Sequence, residues 1–204
     1  SERIAVKIRT LELLSVFDML CLVILIIIQT LTAMKMSVLN KLLEQRAYTD
    51  AHTGLPNKGA CEVLLKNKET VEKHTACIMF DLNNLKIIND TKGHSKGDQL
   101  ILNFARFLRN IIPKEAFVGR YGGDEFMVVI YNTSKTEIED ILMQLSREKD
   151  SLNSRGNDMP IDYACGWAIS DADGECTIQM LLDKADYYMY ENKQSRKKSM
   201  QSTK

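Results

Sequence analysis

Two adjacent acids, Asp124 and Glu125, stand between a Gly-Gly pair and the apolar run Phe126 to Ile130. Carboxylates fixed where a buried strand begins are hard oxygen donors in small number. Mg²⁺ takes such ligands while keeping room for water and phosphate oxygens. Asp81 repeats the arrangement in reverse, closing the apolar run Ala76-Cys77-Ile78-Met79-Phe80. If the two strands are sheet neighbours, Asp81, Asp124, Glu125 and the Leu82 carbonyl meet at one edge. Taken alone, each acid reads more readily as a polar strand end or hairpin tip. Gly122-Gly123 reads as a two-residue hairpin turn, because both positions can take positive φ without a Cβ clash.

The segment Asn83 to Asp98 is dense in turn formers and hydrogen-bonding side chains. Asn89 and Asp98 together could read the amide and amine edge of a purine. Asp98 is equally placed as a capping-box acid three residues after Ser95, and His94 as a turn residue packed on a helix. Near the C-terminus Lys193, Arg196, Lys197 and Lys198 crowd the last turns of a helix. The helix dipole favours basic residues there, and a triphosphate would use the same charges as clamps.

These residues need elements to position them. At 204 residues the chain fits one domain and an appendage. Twenty-seven basic residues balance 27 acidic ones, so no global field calls for a nucleic acid polymer, and an anionic ligand must be held by local charge. The cysteines Cys21, Cys61, Cys77, Cys165 and Cys176 form no CxxC pair and read as small buried residues of a reducing compartment. The first residue is Ser, so further N-terminal sequence is expected.

From Leu13 to Met34 the chain reaches roughly the 20 residues a helix needs to cross a bilayer, with Asp18 and Gln29 as the strongly polar interruptions. It reads as a single membrane span. The alternative is a soluble stalk that dimerises through an apolar face. Asp18 would cost about 2.5–3.5 kcal/mol at a helix centre and less near an end. A secretory signal does not fit, because no small-residue cleavage site follows. Arg3, Lys7 and Arg9 precede the span and Lys35, Lys41 and Arg46 follow it, so the flanking charges leave its orientation open. Val38, Leu39, Leu42 and Leu43 continue the helix as an amphipathic linker that can pair with its own copy. Gly54 and Pro56 mark the domain boundary.

Beyond it the patterns predict a helix over residues 58–73, a strand over 76–81, helices over 85–89 and 98–112, and the hairpin. A helix follows from N-cap signals in Thr133 to Glu137, then a strand over 161–169 and a helix over 177–198. The expected fold is α/β, an α+β sandwich with one mostly antiparallel central sheet flanked by helices. A transmembrane and linker helix precedes it. The expected division is residues 1–36 as the span ending a larger N-terminal region, 37–50 as linker, 51–198 as catalytic domain and 199–204 as tail.

Four blocks, in order, carry a family resemblance. They are Asp50 to Asn57; Phe80-Asp81-Leu82 through Asn89-Asp90 to Gly93-His94 and Gly97-Asp98; Arg120 to Phe126; and Ala185 to Lys193. Over about Thr49 to Lys198 the chain resembles the GGDEF family of diguanylate cyclases. The resemblance implies a nucleotidyl-cyclase-like fold in a bacterial signalling enzyme that condenses two GTP into cyclic di-GMP and releases two pyrophosphates. By it, Asp81 and Asp124 bind two Mg²⁺ ions per active site, with Mn²⁺ as an alternative. Leu82 lends its carbonyl, and Glu125 supports the second metal. Asn89 and Asp98 read guanine, with His94 as a neighbouring contact and Leu85 as an apolar wall. Lys86 and Lys193 contact phosphate, and Gly122 and Gly123 let the backbone approach the nucleotide. Asp124 would accept the proton of the attacking 3′-hydroxyl. Each domain would hold one GTP, so the enzyme would act as a homodimer. GTP as substrate would put the domain in the cytoplasm, below a span in the inner (plasma) membrane.

Three departures accompany the resemblance. Gly-Arg-Asn does not close the last block, leaving Lys197 by register or Arg196 by chemistry as the second phosphate clamp. Leu85 stands where an aromatic is frequent. Pro113 and Ala116 occupy the positions of the family's product-inhibition Arg and Asp, so that feedback site is expected to be missing. Asp98 is intact, which favours guanine over adenine. The competing reading is a catalytically silent GTP-binding domain acting as a sensor or interaction module. A purely structural membrane anchor would leave the four blocks without a purpose.

Overall fold

The computed structural model describes residues 2–66, 71, 74–156, 158–170 and 176–201. The chain forms two compact units, Ser1–Ala47 and Tyr48–Lys204. The first unit lies within helix α1 (Glu2–Tyr48), which carries neither glycine nor proline to interrupt it. Its large apolar side chains from Leu11 to Leu43 are exposed, and by length and composition the helix could cross a membrane. The Thr30 and Thr32 hydroxyls donate to the Ile27 and Ile28 carbonyls, so these polar groups are satisfied within the helix itself.

The second unit runs α2 (Lys58–Lys66), β1 (Ala76–Leu82), α3 (Leu85–Lys92), α4 (His94–Ile111), β2 (Phe117–Arg120), β3 (Glu125–Ile130), α5 (Lys135–Ser154), β4 (Tyr163–Ile169) and α6 (Ile178–Gln201). The strands make one sheet in the order β2-β3-β1-β4, antiparallel at every pairing. This is the expected α+β sandwich. Side chains alternate across a strand, so Ile78, Phe80, Phe126 and Val128 pack with Leu100, Phe104 and Leu108 of α4 and with Ile138 and Leu145 of α5. Cys77, Met79, Met127 and Val129 pack on the opposite face with Cys61 and Leu65 of α2 and with Leu181, Leu182, Ala185 and Met189 of α6. Helices cover both faces, which is why β1 and β3 are almost continuously apolar.

Several boundaries differ from expectation: α3 runs on to Lys92 rather than ending at Asn89, and β4 begins at Tyr163 rather than Ile161. Helix α4 begins at His94 rather than Asp98, because Gly93 takes φ 84° and serves both as the end of α3 and as the N-cap of α4. Asp98 therefore lies inside the helix, and the capping-box alternative for it falls. The capping box forms at α5 instead, where Ser134 accepts from the Glu137 amide and Glu137 accepts from the Ser134 amide. Helix α2 ends at Lys66, and most of the remaining residues of the expected 58–73 helix lie outside the described residues.

Candidate functional site

Strands β1 and β3 are neighbours, and their register pairs Asp81 with Glu125. One step further along the ladder the Leu82 amide donates to the Asp124 carbonyl at 2.8 Å. The backbone thus gathers Asp81, Leu82, Asp124 and Glu125 at one end of the two central strands. Strand alternation puts Asp81 and Glu125 on the α6 face, following Cys77 and Met79, Val129 and Met127.

Helix α6 answers the acids with Lys193. Its ammonium donates to both Asp81 carboxylate oxygens, at 2.7 and 2.8 Å. Two features of the sequence bring it there. A Cβ on Gly166 of β4 would collide with backbone atoms of Ala185 and Met189, so only glycine lets α6 lie this close to the sheet. One residue before Lys193, the Asn192 amide donates to the Cys165 carbonyl at 3.1 Å and pins the helix to β4.

The hairpin tip differs from expectation. The loop spans four residues, Tyr121 to Asp124, and neither Gly122 nor Gly123 takes a positive φ. The Tyr121 and Gly122 amides both donate to the Glu125 carbonyl, at 2.9 and 3.2 Å, which makes the wider turn. Gly122 is needed for space rather than for conformation: a Cβ there would come within 2.5 Å of Glu125 Oε2. Gly123 is exposed and has open space around it.

Arg120 braces the loop. Its guanidinium donates to both Asp50 oxygens at 3.2 and 3.1 Å and to the Gly123 carbonyl at 2.9 Å, while its amide donates to the Pro56 carbonyl. Asp50 also accepts from the Thr53 amide and hydroxyl at 2.8 and 2.7 Å. Burial pushes the Asp50 carboxyl up, but Thr53 and the Arg120 guanidinium outweigh it and hold the group below its ordinary value. The first sequence block, Asp50 to Asn57, is thereby a folded turn that anchors the hairpin. Sequence reasoning gave neither Arg120 nor Asp50 a role, although both lie inside the matched blocks.

On the flank, α3 carries Leu85, Lys86 and Asn89, and α4 carries His94 and Asp98. Asn89 lies over Gly97, where any Cβ would collide with its side-chain oxygen. Asn89 is thereby set beside the residue preceding Asp98. The Asp98 carbonyl is bonded to His52 Nε2 at 2.8 Å, which ties α4 back to the first block. Lys86, His94 and Asp98 are exposed, and Leu85 and Asn89 half-buried. The side chains of Arg196 and Lys197 lie outside the described residues.

Among the described residues no group of three or more His, Cys, Asp or Glu side chains is arranged to hold a metal ion, and both Asp81 oxygens are taken by Lys193. The donor chemistry nevertheless fits a hard cation. Burial pushes the Glu125 carboxyl above its ordinary value, and Asp124, Asp81 and Asp186 add to this, with Lys193 only partly offsetting them. Asp186 of α6 is an acid near the site that sequence reasoning did not single out. So much negative charge at one sheet end is what a divalent cation would relieve. A cavity of about 750 Å³ along β4, lined by Leu142, Trp167 and Tyr188, contains none of these residues.

The domain is thus an antiparallel α+β sandwich with acids at the end of its central strands and a lysine facing them. The family model described as "Diguanylate cyclase, GGDEF domain" matches residues 47–199, and the chain belongs to that family. The diguanylate cyclase DgcP of Escherichia coli is 31% identical over 170 residues, covering 78% of this chain and 48% of that protein. The cyclic di-GMP phosphodiesterase PdeB of Shewanella oneidensis is 32% identical over 147 residues, covering 71% of this chain and 17% of that protein. The chain thus spans about half the length, or less, of these relatives. Among solved structures, the GGDEF domain of DgcB from Caulobacter crescentus, in complex with c-di-GMP, superposes with a TM-score of 0.61 at 25% identity. That match covers 73% of this chain and 91% of the DgcB chain.

Proposed function

We propose that this chain is an active diguanylate cyclase, joining two GTP into cyclic di-GMP with release of two pyrophosphates. The observation that carries the reading is the β1–β3 register, which sets Asp81 opposite Glu125 and beside Asp124 within reach of Lys193. Asp81, Asp124, Glu125 and the Leu82 carbonyl are the residues that would hold Mg²⁺ or Mn²⁺. When bound, the ions would offset phosphate charge and lower the pKa of the attacking 3′-hydroxyl.

The chain's own residues do the rest. Asn89 and Asp98 orient the guanine, with Leu85 as its apolar wall and His94 alongside. Lys86, Lys193 and either Arg196 or Lys197 hold the phosphates, and Gly123 leaves the backbone open to the nucleotide. Asp124 is the proposed acceptor of the hydroxyl proton. One domain presents one such surface, so ring closure requires two domains face to face, and the active form is a homodimer. Helix α1 would anchor it in the inner membrane, with the domain in the cytoplasm where GTP is found.

Feedback through the family's inhibition positions is proposed to be absent. Pro113 and Ala116 line a cavity of about 590 Å³ together with Glu115, Glu137 and Asp140, acids that would repel an anionic dinucleotide. Tight cyclic di-GMP binding by an Asp124→Ala protein, away from the active site, would refute this.

The relation to a protein named as a phosphodiesterase keeps a second reading open, a silent domain that binds GTP without turnover. The full chain in lipid nanodiscs, incubated with GTP and Mg²⁺, separates the two. Cyclic di-GMP and pyrophosphate support the cyclase. Bound GTP recovered intact from a dimeric preparation supports the silent module.

A further inference from the structure

Lys193 and a divalent cation want the same two oxygens. The ammonium sits on both carboxylate oxygens of Asp81, whose side chain is only 14% exposed, so a chelating cation competes with it for the same oxygens. The Lys193 side chain is 34% exposed, which leaves the ammonium a way out toward solvent. Helix α6 itself is held in place by the close packing at Gly166 and by the Asn192 bond to Cys165, so the movement belongs to the lysine stem alone. A displaced ammonium that found no new partner would leave the site with a net loss, whereas the phosphates of a bound nucleotide supply a better one.

Resting on the cyclase reading above, we propose that Lys193 guards Asp81 against a bare divalent cation. The site then admits the cation only together with the nucleoside triphosphate that gives Lys193 its second partner. Lys193 is in this view a stand-in for the ion in the empty site and a phosphate ligand in the filled one. Binding is ordered by exchange of that one side chain, which keeps the carboxylate from holding a free cation unproductively.

The test uses the full chain in detergent micelles with Mn²⁺ alone as probe, followed by electron paramagnetic resonance of the free ion. It is repeated with 3′-deoxy-GTP, which lacks the attacking hydroxyl. Lys193→Met is expected to bind Mn²⁺ alone on the order of tenfold more tightly than the unsubstituted chain, about 1.4 kcal/mol. Lys184→Met, which removes an exposed charge from the same helix, is expected to stay within about twofold. Lys193→Arg keeps the charge and grips Asp81 with a fork, so it is expected to exclude bare Mn²⁺ at least as well as lysine. Equal Mn²⁺ affinities for Lys193→Met and Lys184→Met would overturn the proposal. So would Mn²⁺ binding that needs 3′-deoxy-GTP in Lys193→Met as much as in the unsubstituted chain, although the cyclase reading would survive that result. Failure of every form to bind Mn²⁺ with or without 3′-deoxy-GTP would overturn both.

Discussion

Asp50 and Asp81 are each held by a basic side chain from far along the chain, 70 residues away in one case and 112 in the other, yet their surroundings differ. Arg120 is tied to Asp50, to the Gly123 carbonyl and through its amide to Pro56, while Asp50 is tied in turn to Thr53. Removing one contact leaves the others, so the pair is a brace that fixes the hairpin loop. Asp81 has Lys193 at both oxygens, one flexible stem whose tip can leave. The two pairs thus serve opposite ends: the Arg120 side chain, 17% exposed, holds a shape, and the Lys193 side chain, 34% exposed, reserves a charge for exchange.

The two pairs part most at Asp81. Asp81→Asn is expected to lower the cyclase rate on the order of 10³-fold, while the melting temperature stays nearly constant, because partly exposed pairs are worth about 0–1 kcal/mol. Large unfolding on this substitution would show that Asp81 is structural after all. Arg120→Met should do the reverse, costing about 1–3 kcal/mol in urea denaturation by leaving Asp50 without its cation. It should slow turnover only about tenfold, through a loosened Gly123.

Acid sharpens the same contrast. The Asp50 carboxyl is held below its ordinary value in the fold, so its contribution to stability is present above the unfolded pKa and lost as pH falls through the folded one, below about 4. Denaturation midpoints across that window should fall more steeply for the unsubstituted protein than for Arg120→Met. Parallel slopes would contradict the brace.

Gly97→Ala leaves both pairs alone and pushes the Asn89 amide aside. An increase of about tenfold in KM for GTP with little change in kcat is expected from steady-state rates. The smallest effect concerns Glu125, whose carboxyl is raised by burial and neighbouring acids. Its charged form costs stability above that raised pKa, and the cost is relieved as pH falls through it. Glu125→Gln should therefore stabilise the ligand-free domain at neutral pH, by about a few tenths of a kcal/mol at this exposure. A melting temperature below that of the unsubstituted protein would count against it.

Much of the fold was legible because local patterns are strong. The apolar runs of β1 and β3, the capping box at Ser134 and the 3.6-residue periodicity of α4 each report their element without help from the rest. The expected start of α4 falls late because its apolar periodicity begins at Leu100, while the true break is a backbone angle at Gly93 that only the fold reveals. The Gly122-Gly123 turn was misread for a related reason. A glycine required by the Glu125 side chain looks, in sequence, like one required by positive φ. The two ion pairs left no local signature at all, since charges separated by so much chain are joined only when strand register and helix packing are known.

Whether the acids at the β1–β3 end condense GTP is read most directly by mass analysis of the nucleotide products from the full chain in lipid nanodiscs with GTP and Mg²⁺, beside Asp81→Asn under the same conditions. Cyclic di-GMP is expected from the first and unchanged GTP from the second. Unchanged GTP from both, with the first shown to be dimeric, would contradict a cyclase role for these acids.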